Sequence, residues 1–148
     1  MKLEGSFTIA APRAKVWRAL LDPGVLERSI PGCEKLTPAG DNRYTAVLKA
    51  GVGAIKGTFN SEVTISDLQP EKAYTLSSRA KAPVGFVEGS GRVELHDEGS
   101  GSTRINFSGE AKVGGMLASV AGRLIEAAAQ KNIRDMFTNL AREIEKRG

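Results

Sequence analysis

Between Glu34 and Val113 the chain consists of segments in which apolar and polar residues alternate, separated by short turns rich in glycine, proline and aspartate. An alternation with a period of two places one set of side chains on each face of a β-strand. Short turns join antiparallel neighbours. The pattern predicts an antiparallel sheet with one solvated face and one apolar face that another element must cover. The solvated face carries Arg79, Lys81, Glu88, Arg92, Glu94, Arg104, Glu110 and Lys112.

The predicted cover is one long C-terminal helix from Gly115 to Lys146. Apolar residues recur there at steps of three and four, proline is absent, and basic residues stand at its end. At about 100° per residue, the apolar stripe of the first half points about a third of a turn away from that of the second. The second half is bulky, as a core helix is, whereas the first half is thin and leaves space beside it.

Two short helices are predicted to follow an N-terminal strand. Lys2 to Ala10 alternates and indicates a half-buried strand. Pro12 is suited to a helix start, and Trp17 lies on the apolar face of that helix. Asp22-Pro23 is typical of an N-cap followed by proline at the first helical position, and Pro31-Gly32 ends this second helix.

The bulk composition excludes several classes of protein. A chain of 148 residues with 41% apolar and 26% charged residues is typical of one soluble domain. The net charge of +4 is mild, and no basic patch with stacking aromatics indicates nucleic-acid binding. The single Cys33 excludes an intrachain disulfide, and one cysteine with one histidine cannot form a Cys/His zinc site. With no visible leader and no apolar run near about 18 residues, we expect a cytoplasmic protein.

Several short motifs occur in order along essentially the whole chain. None is specific alone, but the ordered set, with the order of elements, resembles the CoxG family of carbon monoxide dehydrogenase subunits, within the START/polyketide-cyclase (SRPBCC) superfamily. The motifs are Asp22-Pro23 to Leu26, Ile30-Pro31-Gly32-Cys33-Glu34, Val52-Gly53 to Lys56-Gly57-Thr58-Phe59, Tyr74-Thr75-Leu76, and Val113-Gly114-Gly115 with Leu117-Ala118.

The resemblance implies an α+β helix-grip fold over residues 1–148. In this fold a curved antiparallel sheet of about seven strands wraps around a long C-terminal helix, with two short helices after the first strand. It also implies non-enzymatic carriage of a hydrophobic or amphipathic molecule, of the lipid or quinone class, without a cofactor. By the same resemblance, we expect the protein to accompany a molybdenum-containing carbon monoxide dehydrogenase or a related hydroxylase and to recruit it to the membrane. The chain stops soon after the long helix, without the extended tail that anchors some members, so we expect transient contact with the inner face of the membrane.

The inward strand positions sort by size along the predicted sheet. Bulky residues gather at one end and small ones at the other, because the end of each antiparallel strand lies beside the start of the next. Either the thin half of the helix collapses onto the small end, or the small end forms an apolar ligand cavity, which is the interpretation we favour. The predicted cavity residues are Trp17, Leu26, Phe59, Ser61, Ser78, Ala80, Ala82, Gly89, Gly91, Gly109, Ala111, Leu117, Ala121 and Leu124.

Loops at the same end carry apolar side chains that have no strand face to hide in. Such residues mark a gate or a contact surface, or they cap the core. We predict a gate, with Lys56 and Lys81 nearby to attract anionic surfaces weakly. The gate residues are Val52, Ile55, Val84 and Phe86.

The sequence indicates no catalytic residue and no metal site. His96 falls on the solvated face, Cys33 is predicted to be a small buried filler, and the carboxylates alternate outward. Ser61, Ser78 and Tyr44 offer hydroxyls to the polar end of a ligand, or they are satisfied core groups. Two alternatives stay open: a cyclase or dehydratase-type enzyme, which needs an ionisable residue facing the cavity, and an interaction or maturation module with an empty cavity.

Overall fold

The computed structural model of the protein describes residues 1–147, and Gly148, although part of the predicted domain, lies outside the described residues. The elements in chain order are β1 (Lys2–Ile9), α1 (Arg13–Leu20), α2 (Pro23–Ser29), β2 (Cys33–Pro38), β3 (Arg43–Val52), β4 (Ile55–Gln69), β5 (Ala73–Ala82), β6 (Gly85–Gly99), β7 (Ser102–Gly114), a 3₁₀ helix (Gly115–Ser119) and α3 (Gly122–Lys146).

The strands form one antiparallel sheet in the order β1-β7-β6-β5-β4-β3-β2. The first strand therefore pairs with the last, and β2 to β7 follow one another as hairpins. This confirms the predicted α+β helix-grip fold with seven strands, two short helices and a long C-terminal helix. Asp22 caps α2 as predicted, since its carboxylate accepts hydrogen bonds from the backbone N–H groups of Gly24 (2.9 Å) and Val25 (3.3 Å).

The long helix begins seven residues later than the sequence pattern predicts. Gly115 has a φ of +70°, a left-handed conformation that interrupts any helix, and a 3₁₀ turn follows it. The backbone N–H of Leu117 donates to the carbonyl oxygen of Val84 (3.1 Å), which fastens this turn to the β5–β6 connection. Val120 and Ala121 are not helical, and α3 starts only at Gly122.

The main core lies between the sheet, the two short helices and the second half of α3. Leu20, Ile105 and Leu140 are fully buried there. The rings of Phe7 and Phe137 stack with centroids 4.6 Å apart and join β1 to α3. This is the bulky end of the predicted sheet, and it is packed as the sequence pattern predicts.

Polar contacts fasten α2 to the last turns of α3. The Nε of Arg28 donates to Oε1 of Glu143 (2.6 Å), and Nδ2 of Asn139 donates to the carbonyl oxygen of Ser29 (3.0 Å). The hydrogen bond from Arg28 holds the pKa of the buried Glu143 carboxyl below its usual range and raises the pKa of the guanidinium in turn. The short helix is thereby held against the long one at the bulky end of the molecule.

Candidate functional site

A second, smaller apolar cluster lies at the other end of the sheet, separate from the main core. Phe59, Ala80 and Leu117 are buried in it. Domains of this size usually have one contiguous core with small satellites under loops. Here the satellite lies under the 3₁₀ turn, so the apolar face of the sheet is divided between two clusters. Six further side chains pack around it at partial burial: Leu48, which also packs against the main core, Ile55, Ala82, Val84, Val87 and Val113.

Between the two clusters runs a row of inward positions across the four middle strands. The register places Val63 beside Ser78, Ser78 beside Gly89, and Gly89 beside Ala111. We call these four residues the central row. All four are only half-buried, although they lie in the interior of the sheet on its covered face. Their remaining exposure shows that the helix does not close over this part of the sheet.

The two halves of α3 pack differently. The helix backbone packs along α1, α2 and β1 and approaches β3 at a few points. Within residues 1–147 no comparable approach joins α3 to the middle strands β4 to β7. Side chains of the second half of α3, among them Phe137 and Leu140, share the main core with the middle strands, whereas Gly122 and Ile125 in its first turns line an open cleft over the central row.

The gap over the central row forms part of a cleft that has a volume of about 820 Å³. Ser78, Gly89 and Ala111 line the cleft from the sheet, and Gly122 and Ile125 line it from α3. The same cleft also touches outward side chains on the opposite face of the sheet, so the part above the central row is smaller than the whole volume. The outward residues include Glu62, Arg79, Glu88 and Lys112.

The glycines on this face have two different roles. A Cβ atom at Gly91 would stand 2.8 Å from the ring of Phe107, and one at Gly109 would stand 2.5 Å from the carbonyl oxygen of Ser90. These two predicted cavity glycines therefore make room for a ring and for backbone. A Cβ atom at Gly89 would have as its nearest neighbours only atoms of β7, the closest at 3.2 Å. Gly89 faces the gap.

The remaining predicted cavity residues are spread over three environments. Trp17 and Leu26 are buried in the main core, where the ring of Trp17 lies 5.7 Å from that of Tyr74. Ser61 is buried, with 3% of its surface exposed. The second cluster holds Phe59, Ala80, Ala82 and Leu117.

The structure corrects the prediction for Ala121 and Leu124, which are exposed and do not line the gap. Leu124 is 56% exposed and points to solvent. The predicted drift of the apolar stripe rested on one helix running from Gly115, and the break before Gly122 removes that premise.

The predicted cavity does not include Ile125, which lines the cleft from α3. This residue is 8% exposed and belongs to neither apolar cluster, so it covers the gap from above. Steps of four back from Ile133, which packs against the main core, reach Ala129 and Ile125. Phasing the stripe on the bulky half alone would have identified it.

The predicted gate residues are all half-buried. Ile55 and Val84 pack against the second cluster, and the ring of Phe86 lies against Gly114. A methyl group of Val84 lies close enough to Gly57 to fill the place of a Cβ atom there, so the β3–β4 and β5–β6 hairpins meet at this end. Nearby in the chain, Met116 is 58% exposed and Leu124 is 56% exposed. This end of the molecule is therefore rich in accessible apolar side chains.

The residues considered for chemistry lie away from the gap. His96 is exposed on the outer face, 3.8 Å from Glu94. Cys33 is half-buried in β2, and burial raises the pKa of its thiol. Tyr44 and Tyr74 belong to the main core, and burial raises the pKa of both hydroxyls. In the described part of the chain, no group of three or more histidine, cysteine or acidic side chains is placed to hold a metal ion.

Comparison with known proteins places this arrangement in context. The family model for CoxG, a subunit of carbon monoxide dehydrogenase, matches residues 5–145. A conserved protein from Geobacillus kaustophilus is 29% identical, with a TM-score of 0.94 over 99% of this chain and 96% of that one. No curated protein matches the sequence.

More distant structures share the fold alone. The ZhuI aromatase/cyclase from Streptomyces sp. R1128 is 18% identical, with a TM-score of 0.73 over 99% of this chain and 94% of that one. The protein TTHA0849 from Thermus thermophilus is 16% identical, with a TM-score of 0.74 over 100% of this chain and 99% of that one. Among residues 1–147, no helix has the length and apolar character needed to span a membrane.

Proposed function

The chain belongs to the CoxG family of carbon monoxide dehydrogenase subunits, and we propose that it binds and carries a hydrophobic or amphipathic small molecule between α3 and the sheet. The observation that carries the proposal is the half-buried central row, which lines an open cleft together with Gly122 and Ile125 of α3. Protein interiors are close-packed, so a gap between two apolar clusters indicates room for a guest. Apolar walls with few polar groups are typical of small-molecule sites.

We propose carriage rather than catalysis. General acid–base catalysis needs a titratable group within hydrogen-bond reach of the reacting atoms. The strand positions that face α3 within residues 1–147 carry no histidine, carboxylate or amine. The aromatase/cyclase of Streptomyces shares the fold, but a shared fold does not transfer an activity.

The family description supports a partner as well as a cargo. Its members are described as a subunit of carbon monoxide dehydrogenase. We propose that this chain is an accessory protein of a molybdenum-containing enzyme of that type, which it brings to the membrane, and that its cargo is of the lipid or quinone class. The accessible apolar side chains beside the hairpin ends support a transient contact with a bilayer.

Native mass spectrometry of gently purified protein tests the carrier proposal, because a bound molecule is identified by its mass. The delipidated protein should then bind the neutral fluorescent probe N-phenyl-1-naphthylamine. Gly89→Leu should abolish probe binding, since the added side chain fills the gap, whereas the matched Gly89→Ala should retain most of it. Wild-type protein that binds neither a native molecule nor the probe would exclude the carrier function. Chemical conversion of the bound molecule would indicate an enzyme instead.

A further inference from the structure

Two serine hydroxyls lie where the central row meets the second cluster. Ser78 belongs to the central row and lines the cleft. Ser61 stands in the neighbouring row, opposite Ala80, and is 3% exposed. Their Oγ atoms are 3.3 Å apart, so one hydroxyl donates a hydrogen bond to the other across β4 and β5.

Burial decides which hydroxyl is the donor. If Ser78 donated, the proton of Ser61 would remain without an acceptor in an almost fully buried position, because within residues 1–147 this hydroxyl has no other hydrogen-bond partner. An unsatisfied buried donor is costly. The favoured arrangement has Ser61 donating to Ser78. The proton of the half-buried Ser78 is then left for a group in the cleft, and accepting a hydrogen bond makes its hydroxyl a stronger donor.

The surroundings of Ser78 are apolar. Its neighbours in the central row are Val63 and Gly89, and Ile125 covers the cleft from α3. A neutral hydrogen bond counts for more in such surroundings than in water. A charged ligand group beside Ser78, by contrast, would need a counter-charge, and the inward strand positions of the described chain supply none. The cations that border the cleft are exposed to solvent: the ammonium group of Met1, which donates to the carbonyl oxygen of Ala111 (3.1 Å), and the side chains of Arg79 and Lys112.

We propose that Ser78 is the specificity-determining donor of the cavity, oriented by Ser61, and that the cargo is a neutral molecule with a hydrogen-bond acceptor such as a carbonyl oxygen. This inference rests on the proposed carrier function and narrows its ligand class. Ser78 touches the ligand, and Ser61 is a positioning residue that acts through it.

Two probes of nearly the same shape test the inference: 9-fluorenone, which has a carbonyl group, and fluorene, which lacks it. Both are titrated as competitors of N-phenyl-1-naphthylamine, and the measured quantity is the ratio of the Kd of fluorene to that of fluorenone. Comparing this ratio between variants cancels the different hydration of the two probes. Ser78→Ala should lower the ratio about tenfold, the size expected for one hydrogen bond in an apolar site.

Further variants separate the effect of the Ser78 hydroxyl on the Kd ratio from the effect of side-chain packing. The double variant Ser61→Ala with Ser78→Ala leaves no orphaned hydroxyl and should show the same low ratio. Ser78→Thr keeps a hydroxyl and should keep the wild-type ratio. Ser61→Ala should lower the ratio only in part, because it frees the Ser78 hydroxyl to rotate without removing it.

An unchanged ratio in Ser78→Ala and in the double variant, with both probes still bound, would overturn the role of Ser78 and leave the carrier function intact. Fluorene-9-carboxylate binding as tightly as fluorenone would overturn the preference for a neutral ligand. Failure of wild-type protein to bind any of the probes would overturn the carrier function and this inference together.

Discussion

Two glycines on the same face of β6, two residues apart, show how the cavity is bounded. Gly91 lies beneath the ring of Phe107, which also crowds Gly109, whereas Gly89 faces the gap. Glycine is needed at Gly91 because an aromatic ring occupies the place of its side chain. At Gly89 the three atoms nearest to the place of a Cβ atom all belong to β7, and the only side-chain atom among them is the Cβ of Ala111 at 3.7 Å.

The two positions should therefore respond differently to the same substitution. We expect Gly91→Ala to lower the free energy of unfolding by about 1–3 kcal/mol, because the new methyl group forces the Phe107 ring or the backbone to move. Gly89→Ala should change this free energy by at most about 1 kcal/mol in either direction, because the tight contact of the methyl group with the carbonyl oxygen of Glu110, at 3.2 Å, offsets the restriction of the unfolded chain. Urea unfolding of both variants measures the difference. If both variants lose the same free energy of unfolding, the space over Gly89 is as tightly packed as the space over Gly91.

The residue types of the site were predictable, but their individual roles were not. Alternation placed Ser78, Gly89 and Ala111 on the covered face, and the register brings them together. Nothing in the alternation shows that the ring of Phe107 leans along its strand over Gly91. The direction of a side chain along a strand depends on its rotamer and its neighbours, and an alternation with a period of two residues does not encode either of them.

At the scale of elements, the sheet and the short helices followed the sequence, and the start of α3 did not. The spacing of apolar residues and the residue types of turns and caps are local features, and they predict each strand and the Asp22 cap. The break at Gly115 combines a left-handed backbone at that glycine with a long-range contact, in which the N–H of Leu117 donates to the carbonyl oxygen of Val84 in the β5–β6 connection. Apolar spacing alone continues through such a break, and for that reason Leu124 was assigned to the wrong side of the helix.

The contact between α2 and α3 should make stability depend on pH. The folded-state pKa of Glu143 is lowered by the hydrogen bond from Arg28, so this carboxylate contributes stability above its usual value of 4.5. The contribution is lost as the pH falls through the lower folded-state pKa. We expect Glu143→Gln to lower the melting temperature by several degrees at neutral pH, with the difference from wild type shrinking in acid.

Thermal unfolding between neutral and acid pH measures this effect. Glu145→Gln is the matched control, because Glu145 lies exposed on the same helix and no ion pair of the described residues involves it. If the difference in melting temperature between Glu143→Gln and wild type stays constant with pH, the Glu143 side chain stabilises the fold by packing and not by its charge.

At the scale of the whole molecule, the cargo site and the apolar end have to work together. The bulky end is closed by α1, α2 and the Arg28–Glu143 contact, whereas the other end consists of two hairpin tips and the 3₁₀ turn around a small cluster. Local opening is easiest where few apolar residues are buried. We therefore expect cargo to enter past the hairpin tips and the start of α3.

Transfer of the naphthylamine probe between vesicles tests this route. Ile55 and Phe86 are half-buried, so charges there would also damage the fold. Met116 and Leu124 are more than half exposed, and replacing both with aspartate should leave stability nearly unchanged. We expect Met116→Asp with Leu124→Asp to slow transfer from anionic vesicles at least severalfold, because the variant loses apolar contact and gains repulsion from the surface.

The control carries the same change of charge at the opposite end of the sheet. Ala10 and Ala39 are exposed beyond the ends of β1 and β2, so Ala10→Asp with Ala39→Asp separates a local effect from a change in the net charge of +4. Transfer by wild-type protein should slow as salt rises, since screening weakens the attraction of exposed lysines such as Lys56 to the surface. If transfer slows equally in both double variants, the change in net charge alone explains the effect, and the apolar end has no special role. Normal transfer by Met116→Asp with Leu124→Asp, at normal stability, would place the entrance elsewhere on the molecule.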